Sequence, residues 1–121
     1  MAVAVRSAGA AALTCSNTRP VPEPRLAMGR GGLSGAPLAA GTPDIVRAVR
    51  AATGGEVPIS ATGGIATPGE AVACLEAGAT TVQLYTGLLY EGPGIVGSLV
   101  GGLSEALRQR GTDMAGLVGS A

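Results

Sequence analysis

The feature that most constrains this chain is a helix-opening design used twice, each time followed by a glycine stop and a short apolar run. "TPDIVRAVRAA" from Thr42 and "TPGEAVACLEAG" from Thr67 each set a Thr at the cap position, a Pro at the first helical position and an acid in the first turn. A cap hydroxyl accepts from otherwise free amides, Pro gives up nothing where no N–H is needed, and the acid complements the positive end of the helix. Thr67 and Glu70 also have the spacing of a capping box. The second helix is expected to end near Ala77 with Gly78 as its left-handed cap, and "TTVQLY" follows at once as a β-rich run. Upstream, "EVPISATGG" reads as a short buried strand, Val57 to Thr62, entering a Gly-Gly turn. The N-terminus repeats the theme, because "AVRSAGAAALTCSNT" parallels "ACLEAGATTVQLYTG": helix end, Ala-Gly-Ala, then an apolar strand finishing in small polar residues.

These units place strands at about Ala11 to Ser16, Val57 to Thr62 and Thr80 to Tyr85, and alternating strands and helices imply a parallel sheet. A last helix, about Gly94 to Gln109, carries Ile95, Leu99, Leu103 and Leu107 on one face, with Val96 and Val100 widening it. Residues 111–121 read as a flexible C-terminal tail. Three strands do not close a barrel, and an open parallel sheet needs cover on both faces and both edges. The chain amounts to a little under half of the roughly 250 residues of an α/β barrel.

Composition removes much chemistry. With 46% hydrophobic residues, the 121-residue chain can bury one modest core. There is no histidine, and all eight basic residues are arginine. That excludes a histidine-activated nucleophile, an imidazole metal site, a Schiff-base lysine and a Walker-type phosphate lysine. Balanced charge without a basic stripe or stacking aromatics argues against nucleic acid, and no metal is expected. Cys15 and Cys74 form no CxxC pair and read as small, reduced core residues. Arg6 follows the first apolar residues instead of preceding them, unlike a signal peptide, and the apolar run Ile95 to Leu107 is too short and interrupted to span a bilayer.

In parallel-sheet folds ligands bind beyond the carboxyl ends of the strands. After the first strand comes "SNTRP", where Asn17, the only asparagine, offers both donor and acceptor to a planar amide-like substrate; equally, Asn17 and Thr18 can form a simple Asx or ST turn. Next, "GRGGLSGAPL" is open enough for main-chain N–H groups to nest around a phosphate, or is a flexible loop. Gly63 and Gly64 follow the second strand. Tyr85 and Thr86 follow the third and open a short helix in which Tyr90, the only other aromatic, is expected to pack. Arg25 and Arg30 flank the glycine loop as solvated residues or phosphate attractors, Glu91 reads as a surface or capping residue, and Met28 and Met114 as loop and tail residues.

Taken in order, "SNT", "GGLSGAPL", "VPISATGGI" and "AGATTVQLYTGLLYEGPGIV" resemble the C-terminal portion of dihydroorotate dehydrogenase, specifically its quinone-linked class 2 form, from about Ala8 to Leu107. "GGLSG" and "GGI" are shared with class 1 and related pyrimidine dehydrogenases, whereas "VQLYTGLLYEGP" is typical of class 2. The resemblance implies the C-terminal part of a TIM (β/α)8 barrel, with residues 1–110 as a partial FMN-binding domain. It implies that Asn17 and Thr18 bind dihydroorotate or orotate, and that Ser16, Gly35, Gly64, Tyr85 and Thr86 bind FMN, the last three around its phosphate. The family reaction, in pyrimidine (UMP) biosynthesis, takes a proton from substrate C5 to a serine base and a hydride from C6 to FMN, and the reduced flavin passes its electrons to a quinone. Family members are cytoplasmic, or peripheral on the cytoplasmic face of the membrane. The serine base and a flavin-contacting lysine lie upstream of the matching region, so no catalytic residue is assigned here and the chain alone is expected to be inactive. Two further readings are a non-catalytic FMN or phosphate-binding half-barrel completing a partner chain that supplies the N-terminal half, and a truncated gene or misassigned start, since Met1 falls in an expected helix. Ala61 replaces a usual glycine, adding a methyl expected near the cofactor, and Arg19-Pro20 replaces a Thr that often extends the Asn-Thr motif.

Overall fold

The computed structural model describes residues 1–121. In chain order, α1 (Ala2–Ser7) leads to β1 (Leu13–Cys15), β2 (Arg19–Pro22) and β3 (Arg30–Leu33), and a 3-10 turn (Ala36–Gly41) enters α2 (Thr42–Thr53). Then come β4 (Ile59–Thr62), α3 (Pro68–Glu76), β5 (Thr81–Gln83), α4 (Thr86–Glu91), α5 (Gly94–Arg110) and α6 (Met114–Leu117). The three expected strands form one parallel sheet in the order β1-β4-β5, shorter than predicted and not closed into a barrel.

Strand alternation decides where the core lies. Ile59 and Ala61 point to the helical side, where they meet Val46 of α2, Ala71 and Cys74 of α3, and Ile95 and Leu99 of α5. The Ala61 methyl is therefore fully buried in the core and does not face the ligand side, contrary to expectation. On the other face Thr14, Ser60 and Thr81 form one cross-strand row, and Thr62 stands beside Gln83 in the next. Thr81 Oγ1 donates to Ser60 Oγ at 2.9 Å. The sheet is thus apolar on one face and lined by small polar groups on the other, so only one face needs apolar cover.

α3 follows its sequence signature. Thr67 Oγ1 accepts from the Glu70 N–H at 3.3 Å, and Glu70 Oε2 accepts from the Thr67 N–H at 2.8 Å, closing the capping box. Gly78 follows with φ +109°. α2 departs from its twin. The 3-10 turn runs straight into it, so Thr42 already has helical φ/ψ of −64° and −43° and cannot act as the extended cap residue. Its hydroxyl donates to the Gly63 carbonyl at 2.7 Å instead.

Where two loops are expected, β2 and β3 pair as an antiparallel hairpin. Pro20 and Pro22 obscure the first strand in the sequence, since neither can donate to a ladder. Gly31 and Gly32 are strand residues whose missing side chains admit neighbours: a Cβ on Gly32 would lie 2.8 Å from Thr18 Oγ1, and one on Gly31 would lie 2.8 Å from Leu26 Cδ1.

On α5, Ile95 and Leu99 are buried and Leu103 and Leu107 pack on a second small cluster, but Val96 and Val100 face outward. The apolar stripe is narrower than the sequence suggested because α3 meets α5 along a single line, with Gly102 close enough to Pro68 that a Cβ would lie 2.3 Å from its ring. Residues 111–121, expected as a flexible tail, fold back on α3. Leu117 is 1% exposed against Val72 and Leu75, and the Gly119 and Ala121 N–H groups donate to Leu75 and Glu76 carbonyls at 3.0 and 3.2 Å. One buried leucine in such a contact contributes about 2 kcal/mol toward ordering the segment. No helix is long and apolar enough to cross a membrane.

Candidate functional site

A cavity of about 620 Å³ lies beyond the carboxyl ends of β1, β4 and β5. Each strand contributes the residues that follow it: Asn17 and Thr18 after β1, the Gly63–Gly64 turn after β4, and Tyr85, Thr86 and Gly87 after β5, with Ser34 and Gly35 completing the wall. Six of the seven residues singled out from sequence therefore meet here.

Three of them touch. Gly64, at φ +79°, lies so close to the 3-10 turn that a Cβ would sit 2.4 Å from Ala39 N and 2.9 Å from Gly35 O. Gly35, at φ +78°, faces Thr86, whose Cγ2 would be 2.9 Å from an added Cβ. Only glycine combines such a backbone angle with such a close approach. The N–H groups of Gly35, Gly64, Ile65, Tyr85 and Thr86 donate to no other group of the chain. The wall thus offers a set of main-chain donors without partners in the chain, two of them on glycines.

The seventh residue, Ser16, does not line the cavity. Its N–H and Oγ both donate to the Thr62 carbonyl, at 2.8 and 3.0 Å, and the hydroxyl is turned into the sheet end. Asn17 Oδ1 accepts from the Thr18 N–H at 2.7 Å, the local turn that the sequence left open, while Nδ2 has no partner in the chain. Arg25 is bound to Glu23 at 2.8 Å, and neither it nor Arg30 reaches the wall, so they are solvated residues. Glu91 stands on the rim and is the only charged residue of the wall. The wall carries no cation. Tyr90, expected to pack, is 85% exposed and Tyr85 is 74% exposed, and both stand in the cavity wall, while Leu88 and Leu89 on α4 are exposed as well.

Gln83 and Ser34 are wall residues that sequence reasoning passed over. The alternation in "TVQ" was the available signal for Gln83; nothing local marked Ser34. Both cysteines are free thiols. Burial pushes Cys15 up from its ordinary value, and burial, reinforced by nearby Glu70 and Cys15, pushes Cys74 up to about 11. Neither lines the cavity.

A family model described as dihydroorotate dehydrogenase matches residues 3–107, nearly the whole chain. The chain belongs to the dihydroorotate dehydrogenase family. Among relatives, dihydroorotate dehydrogenase (quinone) of Novosphingobium aromaticivorans is 45% identical over 114 residues, covering 91% of this chain and 33% of the relative. That of Cyanothece sp. is 48% identical over 83 residues, covering 69% and 22%. A crystal structure of DHODH from Eimeria tenella in complex with ferulenol superposes with a TM-score of 0.85 at 31% identity, covering 98% of this chain and 33% of that one. The ligand-free form gives 0.87. The fold is accordingly part of an α/β barrel of this family, and the chain spans about a third or less of the length of these relatives.

Proposed function

We propose that this chain carries the phosphate-holding and substrate-amide wall of the FMN site of a quinone-linked dihydroorotate dehydrogenase, the enzyme that oxidises dihydroorotate to orotate in pyrimidine biosynthesis. Residues 1–110 form the flavin-binding unit. The observation that carries this reading is the set of unpartnered amides at Gly64, Tyr85 and Thr86, all residues of the cavity wall, beside Gly35 and Gly64, which carry no side chain. Converging amides suit a phosphate dianion, and their neutrality matches a wall without cations. Asn17 and Thr18, in the same wall, suit the pyrimidine, since an amide can donate and accept in one plane. When bound, FMN supplies the hydride-accepting chemistry; these residues bind and orient.

On this reading the chain alone does not turn over substrate, because the family's serine base and lysine have no matching residues in it, and it contains no lysine at all. Titrating purified chain with FMN and riboflavin tests the phosphate site: FMN is expected to bind more tightly, and equal affinity overturns the reading. Quinone reduction with dihydroorotate by the chain alone would refute its inactivity.

The exposure of Leu88 and Leu89 on α4, together with the unpaired outer edges of β1 and β5, favours a second reading: a half-barrel that completes a partner chain supplying the N-terminal half. Co-expression with such a half should then yield a yellow complex; a colourless, aggregated product would sink this reading.

A further inference from the structure

The orientation of the Gly63–Gly64 turn traces to a residue outside the cavity wall, Thr42, which is 1% exposed. Thr42 Oγ1 donates to the Gly63 carbonyl at 2.7 Å and lies 3.1 Å from the Leu38 carbonyl. A hydroxyl carries one proton, so the shorter contact takes it. Thr53 provides an internal comparison. Its buried hydroxyl is satisfied within its own helix, by the Val49 carbonyl four residues back at 2.9 Å. Leu38 offers Thr42 the equivalent partner, yet the closer bond crosses to the turn.

That bond sets a direction. In a trans peptide the C=O of one residue and the N–H of the next point opposite ways. Anchoring the Gly63 carbonyl beneath the turn therefore aims the Gly64 N–H away from Thr42, and that N–H donates to nothing in the chain while Gly64 lines the cavity. The preceding peptide is held alike, because the Thr62 carbonyl accepts from Ser16 N and Oγ. Both hydroxyls press directly under the turn: a Cβ on Gly63 would lie 2.9 Å from Ser16 Oγ and 3.0 Å from Thr42 Oγ1.

We propose that Thr42 is a positioning residue for anion binding: its buried hydroxyl fixes the aim of the Gly64 amide and so sets the affinity of the site for the phosphate of a flavin mononucleotide. This rests on the reading that the flavin phosphate seats in this cavity. The test compares wild type, Thr42→Val and Thr42→Ser by fluorescence titration with FMN and with riboflavin, which lacks the phosphate, alongside thermal melting. The readout is the ratio of riboflavin to FMN dissociation constants. Thr42→Val, isosteric but without the hydroxyl, should lower that ratio about tenfold, the equivalent of one aimed hydrogen bond to a charged group, while Thr42→Ser keeps it. A folded Thr42→Val that retains the wild-type ratio overturns the proposal, as does equal weakening toward both flavins, the mark of a merely structural role. Should Thr42→Val show no melting transition, Thr42→Ala removes the same hydroxyl with less bulk and is read by the same ratio. A wild type that binds both flavins alike overturns the phosphate reading itself, and the positioning role with it.

Discussion

Gly64→Ala is the sharpest test of the site's construction. The new Cβ would meet three backbone atoms, Ala39 N at 2.4 Å, Ala39 Cα at 2.7 Å and Gly35 O at 2.9 Å. Reaching the 3.4 Å of an ordinary contact requires the nearest to retreat by about 1 Å, and main-chain atoms cannot swing aside as a flexible side chain would. Overpacking of this kind costs about 1–3 kcal/mol, and holding alanine at φ +79° adds roughly 1–2 kcal/mol. The total, about 2–5 kcal/mol, corresponds to a melting temperature lowered by at least roughly 8 °C for a domain near this size. Gly111→Ala is the control, because Gly111 has φ +61° with nothing within 4 Å of its would-be Cβ. It should show the backbone strain alone, about 1 kcal/mol. Thermal melting by circular dichroism of the two variants beside wild type gives the difference. Equal shifts for Gly64→Ala and Gly111→Ala would refute the close approach of the Gly64 turn to the 3-10 turn, and with it the reason for a glycine there.

Four further outcomes follow from the packing. Leu117→Ala should cost about 2–3 kcal/mol in urea unfolding, since that side chain is 1% exposed on α3; a change under about 0.5 kcal/mol would mean that residues 111–121 do not pack. Gly101→Ala, in α5 with ordinary helical geometry and open space around it, should raise stability by up to about 1 kcal/mol in the same assay, and a loss would reveal a contact the structure lacks. Cys74 ionises near 11 when folded but near 9.0 when exposed, so the unfolded chain loses its proton first. Stability should therefore be intact below pH 9 and fall between pH 9 and 11, more steeply in wild type than in Cys74→Ala. A native-state thiol reagent should modify half-buried Cys15 before Cys74, and the reverse order would contradict the burial.

What the sequence determined alone was the order of the parallel strands with their helices and the position of the site. Thr67, Glu70 and Gly78 specify a helix and its ends through contacts within a few residues, so α3 was legible in full. The glycines and small polar residues after each strand marked the carboxyl ends, and Asn17, Gly35, Gly64, Tyr85 and Thr86 do line one cavity. The tertiary structure decided whatever depended on partners distant in the chain. Thr42 and Thr67 open nearly identical sequences, yet one hydroxyl caps its helix and the other crosses to Gly63, because a 3-10 turn occupies the space before α2 and the β4 turn lies within its reach. Ser16 turned from the cavity to the Thr62 carbonyl for the same kind of reason. The hairpin over Arg19–Pro22 and Arg30–Leu33 was hidden by prolines and glycines whose local preferences favour loops, and is held by pairing that spans a dozen residues. Local spacing encodes caps and periodicity; which carbonyl a hydroxyl finds, and which glycine must remain bare, is set only when separate strands and turns are brought together.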